Sequence, residues 1–347
     1  MLTGSKQHVF RVQMHRLRCH DCNAYLMEDI PFTSGSHSRI TRSLERSVLE
    51  VRKHMSIKAL ANHYGLDGGT VKNIEKRHLQ AKFKHVSLKN VTAIGIDEVY
   101  MGETVGDKGY LSIVRDMHSG AVLFVGEGKS AGALEVFTQK LRRSRAKIEY
   151  IAIDMGQAYA SWARENLSDA IIVYDHFHVI KLMNDKLNKV RRRIMRDLEE
   201  KDKAALKGKR WHFVVNQENL SENAKRELDG CKLVFDDLAT AHYLKETLRN
   251  VYRLADSRNL AETAFLRWCA LAAESGIAEM ETMAKTINKH MDGVLAYWDT
   301  GGMTSASMEG FNNKIGWLTR QAYGYRDQEY LILKIYDLPT TKIRRDL

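Results

Sequence analysis

Apolar residues along the chain change their period twice, and each change predicts a different kind of structure. Between residues 40 and 52 (ITRSLERSVLEVR), Ile40, Leu44, Val48 and Val51 recur every three or four positions, which predicts an amphipathic helix. In SIKALANHYGLDGGTVKNIEKRHL, Ser56 can cap a helix carrying Ile57, Leu60 and Ala61, and Gly65 ends it. A three-residue turn follows, and a second helix from Gly68 or Gly69 turns Val71 and Ile74 inward. Small Ala61, the glycine at the turn and the apolar pair fit a helix-turn-helix. The second helix of that motif lies in a DNA major groove, which makes Thr70, Lys72, Asn73 and Lys76 its DNA-facing residues.

From residue 91 the period falls to two. VTAIGIDEVYM (91–101), GYLSIVRDM (109–117) and AVLFVGEG (121–128) read as strands separated by Gly and Asp turns. A helix over 130–145, a strand over 148–154, a helix over 156–166 and a strand over 170–175 complete the order β-β-β-α-β-α-β. That order predicts a mixed α/β sheet with helices packed on it. Residues 177–300 read as helix almost throughout, and a capped helix begins near Thr304.

Of 347 residues, only Pro31 and Pro339 are proline, which favours long helices. Hydrophobic residues make up 44 %, an ordinary globular share, and the length allows two or three domains. No apolar run reaches the roughly 18–20 residues of a membrane span, and the N-terminal residues lack the apolar stretch of a signal peptide. A soluble, cytoplasmic protein with no membrane partner is expected.

Charge narrows the choice of partner. The net +11 is uneven: residues 1–85 carry fifteen basic against seven acidic side chains and eight of the fourteen histidines. Residues 181–210 carry twelve basic against five acidic, so the remainder is net negative. Clustered positive charge in this setting points to nucleic acid rather than to a merely solvated surface.

The four cysteines are too few and scattered for a disulfide framework. Cys19 and Cys22, in RCHDC, resemble the second knuckle of a zinc ribbon. A structural zinc needs four ligands, and no first CxxC precedes this one. His8 and His15 could complete a site, but their spacing is not diagnostic. A pair of reduced thiols is the favoured reading and Zn2+ the alternative.

Two carboxylates end apolar strands: Asp97 in AIGIDE and Asp154 in IAIDMG. A carboxylate in that position is costly unless paired or metal-bound. If the two strands are neighbours, the carboxylates converge and can share hard divalent cations. A third, Glu309, lies in the first turns of the helix near Thr304. Such a set suits two magnesium ions, with Mn2+ as a substitute, that activate a water or a 3′-hydroxyl and stabilise the leaving oxygen.

GIDE, AIDMGQAYASWARENLSDAIIVYDHFHVIK and SASMEGFNNKIGWLTRQAYGYRD resemble the DDE transposases of bacterial insertion sequences, above all the family called IS-L-three. The resemblance runs from about residue 15 to the end. It implies an RNase H-like core interrupted by a helical insertion, an N-terminal zinc ribbon, and a helix-turn-helix that binds terminal inverted repeats. Carried over by motif, the catalytic and metal-binding triad is Asp97, Asp154 and Glu309. The separations agree, since 57 residues hold two strands and a helix while the next 155 leave room for an inserted domain.

The resemblance extends to neighbouring residues. Asp175 and His178, spaced DxxH, match a signature of several DDE families, and His178 would hydrogen-bond a scissile phosphate or orient a metal-bound carboxylate. Asn312, Asn313, Lys314 and Arg320 share the helix of Glu309 and would touch the phosphate backbone. Arg191, Arg192 and Arg193, with Trp211, Trp268 and Trp298, suit a surface that grips DNA ends, although helical-bundle core is the commoner fate of any one tryptophan.

The expected organisation is a partial zinc-ribbon-like segment (1–35), a helix-turn-helix domain (36–85), the first part of the core (91–185), an all-helical insertion (186–300) and the last part of the core (301–347). The function implied is magnesium-dependent strand cleavage and strand transfer on double-stranded element ends and target DNA, by a homodimer or higher multimer at the bacterial nucleoid. The alternatives are a non-catalytic DNA-binding regulator of transposase descent and an RNase H-like nuclease without strand transfer.

Overall fold

The computed structural model describes residues 9–33, 38–102, 109–302 and 306–339. His8 and Thr304, named above, lie outside them. The chain forms two compact units, one built from residues up to Val86 together with Glu329–Asp337, the other from Ser87–Gln328.

The first unit opens with an antiparallel pair, β1 (Arg16–Arg18) and β2 (Tyr25–Met27), whose six residues are all exposed. Three helices follow, each started by a side-chain cap. Thr41 accepts from the Leu44 N–H ahead of α1 (Arg42–Val51), Ser56 from Ala59 ahead of α2 (Ile57–Tyr64), and Asp67 from Thr70 ahead of α3 (Gly68–Phe83). Gly65 ends α2 at φ 63°, a left-handed conformation that glycine adopts without strain. Val48, Leu60, Ala61, Tyr64, Val71 and Ile74 bury against one another. The helix-turn-helix is present with the residues that predict it in their expected places.

The second unit is organised by a five-stranded sheet. β3 (Ala93–Tyr100), β4 (Tyr110–Asp116) and β5 (Val122–Glu127) are antiparallel neighbours. α4 (Glu135–Arg143) crosses over to β6 (Tyr150–Ile153), which lies parallel beside β3, and α5 (Gln157–Asn166) crosses to β7 (Ile171–Tyr174), parallel beside β6. The order β5-β4-β3-β6-β7, three antiparallel strands followed by two parallel ones, is an RNase H-like arrangement. Ala93 to Ile96 are all buried, as a strand covered on both faces requires.

β7 leads directly into α6 (His176–Asp197), which buries Val179, Met183, Leu187 and Val190 at helical spacing. The helices α7 (Glu200–Lys203), α8 (Arg210–Val214), α9 (Glu222–Val234), α10 (Asp236–Leu254), α11 (Arg258–Glu274) and α12 (Ala278–Lys289) follow, with α8, α10 and α12 packed on α6. α13 (Met291–Asp299) returns to β7, where Gly293 leaves room for the Tyr174 ring. Lys245 is wholly buried among these helices. Its ammonium donates to the Phe213 and Val215 carbonyls at 3.0 and 2.9 Å and pairs with Glu246 at 2.6 Å. Trp268 is a core residue and Trp298 is half-buried, donating to the Leu244 and Ala255 carbonyls respectively, whereas Trp211 is exposed beneath the Arg210 guanidinium.

α14 (Ala306–Gln321) lies on β3, and it can do so because residue 95 is glycine. A Cβ there would stand 2.5 Å from Met117 Sδ and 3.1 Å from Met308.

α15 (Gln328–Asp337) belongs with the first unit. Tyr330, Leu331, Leu333 and Ile335 are buried, and Tyr336 stacks on Phe83 of α3 with centroids 5.5 Å apart. The buried Glu75 carboxylate is held by Arg52 Nε at 2.8 Å, by Lys334 Nζ at 2.7 Å and by the Tyr330 hydroxyl, which donates to it. The segment expected to be the last part of the core (301–347) thus includes a helix that clusters with the first unit. An apolar helix carrying Lys334 satisfies a buried acid on α3, and that decides where α15 docks.

Candidate active site

Because β3 and β6 are parallel neighbours, their carboxyl ends lie at the same edge of the sheet. Asp97 lies within β3, two residues beyond Gly95, the last residue paired with β6, and Asp154 follows Ile153, the final residue of β6. Each carboxylate is fixed by local backbone. Asp97 Oδ1 accepts from the Glu98 N–H at 2.8 Å, and Asp154 Oδ1 from the Gly156 N–H, also at 2.8 Å, just ahead of α5. Burial pushes the Asp97 carboxyl above its ordinary value, and the nearby Asp154 charge adds to that. Glu98 is raised for the same reasons: burial first, then the charges of Asp154 and Asp97. Three acids thus feel one another here, and Glu98 was not among the sequence candidates. Strict period-two alternation sets it on the opposite face from Asp97, so its position beside Asp97 in GIDE carried no signal.

α14 supplies the next partner. Asn312 Nδ2 donates to Asp97 Oδ2 at 2.7 Å, while its Oδ1 is buried without a hydrogen-bond partner. Sequence reasoning set Asn312 against a DNA backbone; the structure sets it against the first aspartate. Glu309 lies one helical turn earlier and is exposed. The start of α14 is anchored by Arg115 of β4, a buried guanidinium that donates to the Ser307 carbonyl at 2.6 Å and lies 4.2 Å from the Phe311 ring centroid. Burial lowers its pKa to about 10. Asn313, Lys314 and Arg320 are exposed on α14, together with Trp317, a large aromatic surface the sequence reading passed over.

Asp175 caps α6 and is 1 % exposed, accepting from the Phe177 N–H. His178 Nδ1 stands 3.3 Å from Asp175 Oδ2. That carboxylate raises the His178 pKa against the effect of burial, and Asp97 and Asp154 act in the same direction. The DxxH pair therefore stands together and feels the charges of the two aspartates.

Among the described residues no three of His, Cys, Asp or Glu stand close enough to form a metal group. The donor chemistry at the sheet edge still fits a hard divalent ion: carboxylate oxygens under mutual repulsion, with a buried amide oxygen left unpartnered beside them.

The other candidates divide by environment. On α3, Thr70 is half-buried and Asn73 exposed, whereas Lys76 pairs with Glu329 at 2.7 Å and Lys72 lies 6.0 Å from the Tyr330 ring centroid. On α6, Arg193 is engaged by Asp237 and Glu279, and Arg191 by Asn188 and the Leu206 carbonyl; Arg192 is exposed. Cys19 and Cys22 are free thiols at the tip of the β1–β2 hairpin, where backbone N–H groups of Cys22 and Asp21 lower the Cys19 pKa. His15 is paired with Glu28.

Residues 94–335 match a family described as "Transposase", of the DDE type of ISL3, and residues 34–79 match "Helix-turn-helix domain of transposase family ISL3". The transposase for insertion sequence element IS1001 of Bordetella parapertussis is 29 % identical over 331 residues, covering 94 % of this chain and 80 % of that protein. The transposase for IS1557 of Mycobacterium tuberculosis is 28 % identical over 267 residues, covering 70 % of this chain and 59 % of that protein. A solved structure titled "Drosophila P element transposase strand transfer complex" aligns with a TM-score of 0.48 at 11 % identity, over 88 % of this chain and 93 % of that one. Among the described residues no helix is long and apolar enough to cross a membrane.

Proposed function

Because the chain belongs to the ISL3 family of transposases, we propose that it binds the terminal inverted repeats of an insertion sequence through its helix-turn-helix and cuts and transfers DNA strands at the carboxyl edge of its sheet. The observation that carries this reading is the placement of Asp97 and Asp154 on adjacent parallel strands, with Asn312 reaching Asp97 from α14. Asp97 and Asp154, with Glu309 as the third carboxylate, would hold divalent ions (Mg2+, with Mn2+ in its place), which when bound supply activation of a water or 3′-hydroxyl and stabilisation of the leaving oxygen.

The chain's own residues prepare that chemistry. Backbone N–H groups and Asn312 orient the two aspartates, and Asp175 raises the His178 pKa, which favours the charged ring that would meet a scissile phosphate. Asn313, Lys314 and Arg320 on α14, and Arg192 on α6, are exposed and would meet phosphates. Arg191 and Arg193 instead hold the insertion together. Two ends must be handled at once, so a homodimer or higher multimer is the working form, acting in the bacterial cytoplasm at the nucleoid.

The exposure of Glu309, set beside the charge coupling of Glu98 to both aspartates, favours a second reading of the third carboxylate. One experiment tests both. A labelled duplex carrying a candidate terminal repeat is incubated with the chain and Mg2+, and strand nicking and binding are read in parallel. Asp97→Asn and Asp154→Asn should abolish nicking and leave binding nearly intact, because the basic surfaces are untouched. Loss in Glu309→Gln with activity kept in Glu98→Gln assigns the third ligand to Glu309, and the reverse assigns it to Glu98. Near-wild-type nicking by either aspartate variant overturns the active-site proposal.

A further inference from the structure

The helical surface of α3 is divided among three neighbours, and the division bears on which residues can reach a base. One face, with Val71 and Ile74, is buried against α1 and α2. A second, with Glu75 and Leu79, is buried, and along it α15 takes up polar side chains as well. Lys76 pairs with Glu329, Gln80 donates to the same carboxylate, and Lys72 lies over Tyr330. Side-chain exposure of Lys76 is 19 % against 56 % for Arg77.

The remaining face holds Thr70, Asn73 and Arg77, spaced three and four apart and so aligned along one side of the helix. A step of one residue turns a helix by about 100°. The stripe of Lys72 and Lys76 and the stripe of Asn73 and Arg77 therefore face different directions, although they are adjacent in sequence.

We infer that α15, by covering the lysine stripe, assigns base reading to Asn73 and Arg77, with Thr70 beside them, and removes Lys72 and Lys76 from it. This rests on the reading of α3 as a DNA-recognition helix and sharpens it. The chemistry of the exposed stripe suits base edges. An asparagine amide can pair with adenine N6 and N7, an arginine fork with guanine O6 and N7, and a threonine methyl can meet thymine. Arg77 is steadied by Glu45 of α1, so its guanidinium is held in place before contact. Lysine too can donate to guanine O6 and N7, but here Lys76 is committed to Glu329 and Lys72 lies over Tyr330.

The test uses the full chain and a pool of duplexes with a randomised core of about twenty base pairs, from which bound molecules are recovered and sequenced. Wild type should enrich a motif. Asn73→Ala and Arg77→Ala should each lose roughly ten- to a hundredfold of discrimination at one or two base positions, while Lys72→Ala and Lys76→Ala keep every position of the motif. Melting curves of the four variants, compared with wild type, separate lost recognition from lost folding. A motif that survives in both Asn73→Ala and Arg77→Ala overturns the inference alone. So does a motif altered in Lys72→Ala or Lys76→Ala with the fold intact. A wild-type chain that binds the pool and enriches nothing overturns the DNA-reading role of α3, and this inference with it.

Discussion

Asn312 donates to Asp97 across 2.7 Å although the two are 215 positions apart in sequence. The contact keys α14 to the end of β3, so the helix that carries Glu309 and the strand that carries the first aspartate share one register. Gly95, two residues before Asp97 on the same face of β3, admits Met308 of α14 beside it. Close backbone approach and a single amide hydrogen bond together set where the third candidate carboxylate begins.

Asn312→Leu should therefore lower nicking by about 10- to 100-fold with little change in DNA binding. Asn312→Asp should be worse, because it sets a like charge against a carboxyl that burial and Asp154 already push up. Single-turnover cleavage of a labelled end, read beside a binding isotherm, checks the order wild type, Leu, Asp.

Gly95→Val should destabilise the second unit by roughly 1–3 kcal/mol, the usual range for overpacking a well-filled core. The Met117 side chain can yield, but Met308 is tied to the helix. A lowered Tm together with reduced nicking is the expected outcome; an unchanged Tm would show that α14 is not held as close as described.

Glu75→Ala leaves Arg52 and Lys334 as mostly buried cations without their partner, a loss of about 3–5 kcal/mol. Burial alone would raise the Glu75 carboxyl, but Lys334 and Arg52 outweigh it and hold it below the ordinary range. Its stabilising contribution is thus present above the ordinary carboxylate value and disappears as pH falls through the lowered one. Denaturant titrations between neutral and acidic pH should show that loss in wild type and not in Glu75→Ala.

His242, in the insertion, also makes stability fall on acidification, but by staying neutral when buried. Burial, aided by the Lys245 charge, lowers its pKa to about 4. An unfolded chain takes up the proton near 6.5 and the folded one does not, so stability should fall by roughly 3 kcal/mol between those values. His242→Phe should flatten this part of the pH–stability curve.

What the sequence made legible was whatever has a local cause. Ser56, Ala61 and Gly65 announce the helix-turn-helix because a cap, a tight packing residue and a left-handed stop each act within a turn. Asp97 and Asp154 stand out because a charge at the end of an apolar strand is costly wherever that strand lies. Relationships made across the chain left no such trace. Glu75 reads as one more charge on a basic helix, and only the docking of α15 explains its burial. Arg191 and Arg193 read as a DNA grip until Leu206, Asp237 and Glu279 are placed around them. Glu98 looked like a bystander because strand alternation sets it on the face opposite Asp97, and its coupling to both aspartates depends on how the strands are arranged.

The order in which the polypeptide emerges from the ribosome gives the docking of α15 a further meaning. Helices α1 to α3 are made early, but the helix that neutralises Glu75 and covers one side of α3 is made only after the whole sheet and insertion. During synthesis the early helices hold Glu75 with Arg52 as its partner but without Lys334 and Tyr330, and one side of α3 is uncovered. Segments normally fold in the order they are made; here the packing of the first unit is completed by the last helix, so its finished surface exists only on a chain whose sheet and insertion have already been translated.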